Sequence, residues 1–178
     1  LVVIDHRRSH LGAIDPDMLA GYSASTQETE KLVAAMKITL EERLPSAEVT
    51  PQQLKDRSWW TGPDIFLIVD NLDLVADMAF APLLSVLPHA RDVGLHVVIT
   101  RKSGGCVRAL FQPFLAEIKD QSPFIIVLDA DKDDGPLFGV RLKPQPPGRG
   151  VMIHHGTQQG LIQIAAADMP EVAEAKAS

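Results

Sequence analysis

The 178 residues, 46% of them apolar and 22% charged, have the length and composition of one soluble globular domain with ample material for a core. A net charge of −6 with no basic stripe cannot neutralise a row of phosphates, which argues against a dedicated nucleic-acid binder. The single cysteine, Cys106, excludes an internal disulfide framework and fits a reducing compartment; no signal peptide is expected, and no apolar run approaches the ~20 residues that span a bilayer.

In chain order, Leu1–Ile4 is an apolar run ending in an acid, Asp5, and reads as a strand. The chain opens inside that run without a methionine, which points to a piece of something longer. His6-Arg7-Arg8 and Gly12 lead into a loop, Asp15-Pro16-Asp17 suits a turn or short helix, and Gly21 stops it. Ser25 with Glu28 forms a capping box for a helix carrying Leu32, Met36, Leu40 and Leu44 on one face. Arg43 suits the negative pole of that helix and Pro45 closes it. Thr50-Pro51 starts a short helix, Gln52 to about Ser58. Trp59 and Trp60 follow, either as core anchors or as a ligand platform.

Ile65–Val69 is β-branched and aromatic between turn residues, the pattern of a strand buried on both faces of a largely parallel sheet. Asp70 stands where that strand leaves the core, and Asp73 follows. Ligands of open α/β sheets sit beyond the carboxyl ends of the strands, and P-loop NTPases hold Mg²⁺ with an acid placed there. The alternative is a turn former or helix N-cap. A helix over 82–93 is expected to kink at Pro88. Leu95–Thr100 is the third strand, a helix over 107–119 contains Pro113, and Phe124–Leu128 is a fourth buried strand of the same sheet. The acidic loop Asp129–Pro136 is a solvated charge run or, alternatively, a calcium site without EF-hand spacing. The rigid PQPPGRG segment leads to a hairpin of Val151–His154 and Leu161–Ala165, joined through Gly156 and Gly160, which adds an antiparallel edge. Residues 1–166 form one module and 167–178 an Ala/Glu-rich tail that frays or forms a terminal helix. The alternation of helix and strand defines an α/β fold.

Three stretches, WWTGPDIFLIVDNLDLV, HARDVGLHVVITRKSGG and DDGPLFGVRLKPQPPGRGVMI…LIQIA, together resemble the last ATPase module of the FtsK/SpoIIIE-like EccC proteins of type VII (ESX) secretion. LVVIDHRRSHLG fits the same module downstream of its phosphate loop. The resemblance implies a RecA-like P-loop NTPase fold with helices on both faces of the sheet. It also implies ATP and Mg²⁺ as cofactors, and a cytoplasmic hexameric motor attached to a membrane secretion complex. Its expected partners are secreted helical-hairpin proteins, other modules and further copies of itself, with no nucleic acid and no direct insertion into the membrane. By the same resemblance Asp70 is the Walker-B acid that orders Mg²⁺, with Asp73 beside the cofactor. Asn71 replaces a second acid and cannot accept the proton of an attacking water. Arg91 matches a candidate finger toward a neighbouring subunit's nucleotide, or else is a cation favoured at a helix C-terminus. Thr100 and Arg101 occupy the sensor segment, where this sequence departs from the pattern of active members.

No GxxxxGK[ST] occurs in the sequence, so no phosphate cradle or Walker lysine is present. The missing strand of the fold class would have to come from upstream in a longer chain or from pairing between chains. Little or no hydrolysis is expected from these residues alone. His6, His10, His89, His96, His154 and His155 lack zinc-like spacing, Cys106 has no identifiable catalytic histidine, and no GxSxG elbow occurs. Three functions compete: a degenerate nucleotide-binding motor module, a non-enzymatic module docking a secretion signal or linker through an apolar pocket rimmed by Trp59 and Trp60, and a DNA translocase, which the acidic balance disfavours.

Overall fold

Val2–Asp5 forms β1, which in the computed structural model lies between two parallel neighbours, Gly21–Ser23 (β2) and Ile65–Asp70 (β3). Strand β3 pairs in parallel with Leu95–Ile99 (β4), giving a four-stranded sheet in the order β2-β1-β3-β4. Residues 1–130, 135–141 and 143–165 are described. The chain divides into two compact units, Leu1–Pro123 and a second beginning at Phe124. The expected boundary between module and tail, and four residues of the acidic loop with its calcium alternative, lie outside the described residues.

In the first unit helix α1 (Thr26–Glu42) packs Val33, Met36 and Leu40 into one core with Val2, Ile4, Leu67 and Val69 of the parallel sheet. The helix starts at Ser25, whose hydroxyl accepts from the Glu28 N–H, while the Glu28 carboxylate accepts from the Ala24 N–H. Its inner face is Thr29, Val33, Met36 and Leu40, with Leu32 and Leu44 packed at the margins. A short helix α2 (Pro51–Asp56) has a complete Thr50–Gln53 capping box and ends at Arg57 in the left-handed conformation. The expected helix over 82–93 is instead two 3-10 segments, Asp77–Leu83 and Leu87–His89. Pro82 and Pro88 withhold N–H donors and clash with a continuing α-helix, so only short i→i+3 turns survive. Likewise Pro113 splits the next helix into α3 (Cys106–Ala109) and α4 (Pro113–Asp120). Phe80 and Phe114 are fully buried and stack with ring centroids 4.2 Å apart at the centre of this core.

Three expectations need correction. Gly21 does not merely stop a turn: it opens β2, an added edge strand too short to leave a periodic signal. Strand β3 is not sealed on both faces, for Leu67 and Val69 are buried while Phe66 is 40% exposed and stacks on His96. Ile125–Val127 (β5) is not a member of the parallel sheet. It pairs antiparallel with Arg149–His154 (β6), which pairs with Thr157–Gln163 (β7) in a separate three-stranded sheet. Phe124, Ile126 and Leu128 are exposed, so the apolar run that looked doubly buried buries little on one side. The hairpin turn is His155-Gly156, both residues at positive φ as a two-residue primed turn demands, and Gly160 lies inside β7.

Candidate functional site

Strands β1 and β3 deliver two acids to the same edge. Asp5 and Asp70 are partners in the parallel register, each the last residue of its strand. Thr100, just beyond β4, completes the row: its N–H donates to the Val69 carbonyl, and its carbonyl accepts from the Leu72 N–H. The Thr100 hydroxyl donates to Asp70 Oδ1 at 2.5 Å, and the Asn71 side-chain amide donates to Oδ2 at 2.7 Å. Asn71 adopts left-handed angles (φ 54°, ψ 59°), and its backbone N–H donates to the Thr100 hydroxyl at 2.9 Å. Asparagine tolerates that conformation better than most residues, which gives position 71 a backbone role beside any chemical one. The Asp70 side chain remains 14% exposed and faces the half-exposed ring of His10, whose Nε2 lies 3.6 Å from Oδ2.

Asp5 is different. It is fully buried, and its carboxylate accepts from the backbone N–H groups of Arg7 (3.1 Å) and His10 (2.7 Å) and from the Tyr22 hydroxyl (2.9 Å). Burial by itself would raise its pKa, but these donors and the Ser9 N–H outweigh that and hold the carboxyl below its usual range. Tyr22 is pushed up to about 12 by burial and by the Asp5 carboxylate it donates to.

The other residues singled out in the sequence separate into two places. The Asp73 carboxylate accepts from the Lys102 N–H at 3.3 Å, bracing the loop after β4, and Arg101 donates to the Lys102 carbonyl at 3.1 Å. Arg91 lies before β4, at the amino end of the sheet, opposite the edge that carries Asp70. There Arg57, Trp60, Gly62, Asp64, Arg91 and His96 line a cavity of about 430 Å³ together with Gly94. Trp60 thus borders a pocket, but a charged one: Asp64 and His96 pair at 2.9 Å, no leucine lines it, and Trp59 is absent from its wall. Both indole N–H groups are occupied, Trp59 on the Arg43 carbonyl and Trp60 on the Asp92 carbonyl. Sequence reasoning missed His10 and Tyr22, which no motif marks; they join Asp5 only through the fold of a loop and a three-residue strand.

An α/β fold with a mostly parallel sheet and an acid at its carboxyl edge places the chain in the RecA-like P-loop NTPase class. Within that class it belongs to the EccC-type ATPase modules of ESX, or type VII, secretion systems. It is 40% identical over 174 residues to the ESX-4 secretion system protein EccC4 of Mycobacterium tuberculosis, covering 96% of this chain and 14% of that protein. It is 41% identical over 169 residues to the ESX secretion system protein EccC of Thermomonospora curvata, covering 93% of this chain and 13% of the relative. The solved cytoplasmic domain of the T. curvata type VII secretion ATPase EccC superimposes with a TM-score of 0.87 at 40% identity, over 94% of this chain and 20% of that one. T. curvata EccC ATPases 2 and 3 in complex with a signal sequence peptide superimpose with a TM-score of 0.86, over 94% of this chain and 31% of theirs. The chain therefore spans a seventh or less of the two full-length relatives. No protein-family model matches it.

Proposed function

We propose that these residues are the part downstream of the phosphate loop in the last nucleotide-binding module of a type VII secretion motor, one that helps recognise and export small helical-hairpin proteins and hydrolyses little or no ATP by itself. The observation that carries this reading is Asp70: a partly exposed carboxylate at the carboxyl edge of a parallel sheet, with one oxygen oriented by Thr100 and the other by Asn71. Its hard oxygens suit Mg²⁺. Among the described residues no group of three histidine, cysteine or acidic side chains could hold a metal ion; Asp70 would meet Mg²⁺ through bound nucleotide. Mg²⁺ bound with the nucleotide would neutralise the charge of the phosphates; Asp70 would hold that ion, with Thr100 orienting the carboxylate. Asn71 lacks a group to take the proton of water. The phosphate loop would lie elsewhere in a longer chain. Arg91, at the far end of the sheet, would serve a neighbouring subunit's nucleotide rather than this one's, in a cytoplasmic homo-oligomer docked on a membrane complex. We take the module to end near residue 166. Calorimetric titration of the full-length protein with ATP and Mg²⁺ should reveal a class of sites that Asp70→Asn removes; an unchanged stoichiometry in that variant overturns the reading.

A second reading, a docking module for a secretion signal, draws support from the relative solved with a signal sequence peptide. Anisotropy of a labelled signal peptide from a cognate secreted protein tests it. An unaltered signal on adding the protein counts against docking, and loss of binding in Asp70→Asn would tie docking to nucleotide.

A further inference from the structure

Two acids end adjacent strands in register, yet only one of them can meet a ligand, and the buried one has an unusual set of partners. Asp5 accepts from the N–H groups of Arg7 and His10 and from the Tyr22 hydroxyl, and its own carbonyl accepts from the Arg8 N–H at 3.1 Å. Arg8 takes a left-handed φ of 61°, so the chain after β1 turns back on itself around this one carboxylate. The side chains of Arg7 and Arg8 are exposed, and besides Asp5 the stretch is held by the His6 ring on the Thr29 hydroxyl at 3.1 Å and by backbone turns at Arg8 and His10. The outcome of the wrap is the position of a single ring. His10 has its backbone clamped at 2.7 Å by a fully buried acid, while its half-exposed imidazole reaches to 3.6 Å from Asp70. A loop that needed only to be anchored would not have to aim a side chain at the neighbouring strand's partly exposed carboxylate.

We propose that His10 is a nucleotide-facing residue of the Asp70 site, its Nε2 a hydrogen-bond partner for a magnesium-bound water or a phosphate oxygen, and that Asp5, with Tyr22, is the positioning residue that sets it there. The inference rests on the nucleotide reading above and adds to it Asp5, His10 and Tyr22, of which no sequence motif marks the last two. Asp5 itself is excluded as a ligand, because its carboxylate is spent on internal donors and is sealed from solvent.

The test is equilibrium binding of a fluorescent ATP analogue to the full-length protein, with Mg²⁺ and separately with EDTA, scored on the class of sites that Asp70→Asn removes. His10→Ala is expected to weaken Mg²⁺-nucleotide binding to that class about tenfold, as the loss of one hydrogen bond to a charged group would. Its binding in EDTA should change less, and His10→Gln, which keeps a side-chain N–H, should recover most of the affinity. Tyr22→Phe should shift affinity in the same direction by a smaller factor and add little to His10→Ala when the two are combined, because both act through one ring. His10→Ala that binds Mg²⁺-nucleotide as the unmodified protein does, while Asp70→Asn does not, overturns this inference and leaves the nucleotide reading standing. If Asp70→Asn also binds normally, both fall. A His10→Gln variant as weak as His10→Ala removes the hydrogen-bonding role and overturns the proposal as stated.

Discussion

Asp5 and Asp70 face each other across one rung of the parallel ladder, but one is fully buried with three donors on its carboxylate and the other is partly open to solvent. Their replacement should therefore separate stability from binding. Asp5→Ala leaves two backbone N–H groups and a phenol without their acceptor and should cost about 3 kcal/mol in urea unfolding. Asp70→Ala should cost about 1 kcal/mol or less while removing Mg²⁺-nucleotide binding.

Asp5 and Tyr22 set two pH limits. Tyr22 is the sole tyrosine of these 178 residues, so their ultraviolet titration is free of overlap and should have its midpoint near 12. A folded pKa above the unfolded value means the phenol's contribution is complete below about pH 10 and is lost as pH rises from there toward 12. Asp5, held low, contributes fully above the ordinary aspartate range and loses that contribution as pH falls through its depressed folded value. Asp5→Asn should bring the Tyr22 midpoint back toward 10, which the same titration reads.

Arg43 is 8% exposed and donates to the carbonyls of Val93 and Pro63, both at 3.1 Å, with its guanidinium 4.3 Å from the Trp60 ring centroid. It ties the end of α1 to the entries of β3 and β4. Arg43→Ala should lower stability by about 2–4 kcal/mol, and Arg43→Lys should recover less than half of that, since a point ammonium cannot span both carbonyls and stack. Thermal melting or urea unfolding decides it.

At Gly94, φ is +70°, and a Cβ would stand 2.6 Å from both Asp64 Oδ1 and Trp60 Cη2. Gly94→Ala should cost about 2 kcal/mol from backbone strain and displacement of the indole. Trp60 reports the change: its fluorescence maximum should move to longer wavelength as the ring is pushed toward water.

Fully buried and stacked on Phe114, Phe80 holds the 3-10 segment against α4. Phe80→Ala should cost about 3–5 kcal/mol through the cavity it leaves, the largest effect among these substitutions, measured by urea unfolding.

Much of the architecture could be read from residue patterns alone. Capping groups at Ser25 and Thr50, the four-residue recurrence from Leu32 to Leu44 and the apolar runs before Asp5 and Asp70 each carry their information locally, in neighbours a few residues apart. So do the prolines, which foretold irregular helices at Pro88 and Pro113, though not that the first would dissolve into 3-10 turns. The resemblance to EccC modules likewise rested on contiguous stretches, and the solved relatives carry the same fold over 94% of the chain.

What the sequence could not decide was partnership over distance. Phe124–Leu128 and Ile65–Val69 look alike as strings, yet β3 joins a parallel sheet and β5 an antiparallel one, because strand choice depends on which hydrogen-bonding edge is presented to it. Asp5 and Asp70 are equally strand-ending acids in the sequence. Tyr22, brought seventeen residues back along the chain, and a loop that folds over β1 make one a buried anchor and leave the other a partly exposed carboxylate. Local pattern fixes the shape of each segment. The chemistry of a carboxylate is set by its desolvation and by the donors that tertiary packing brings to it.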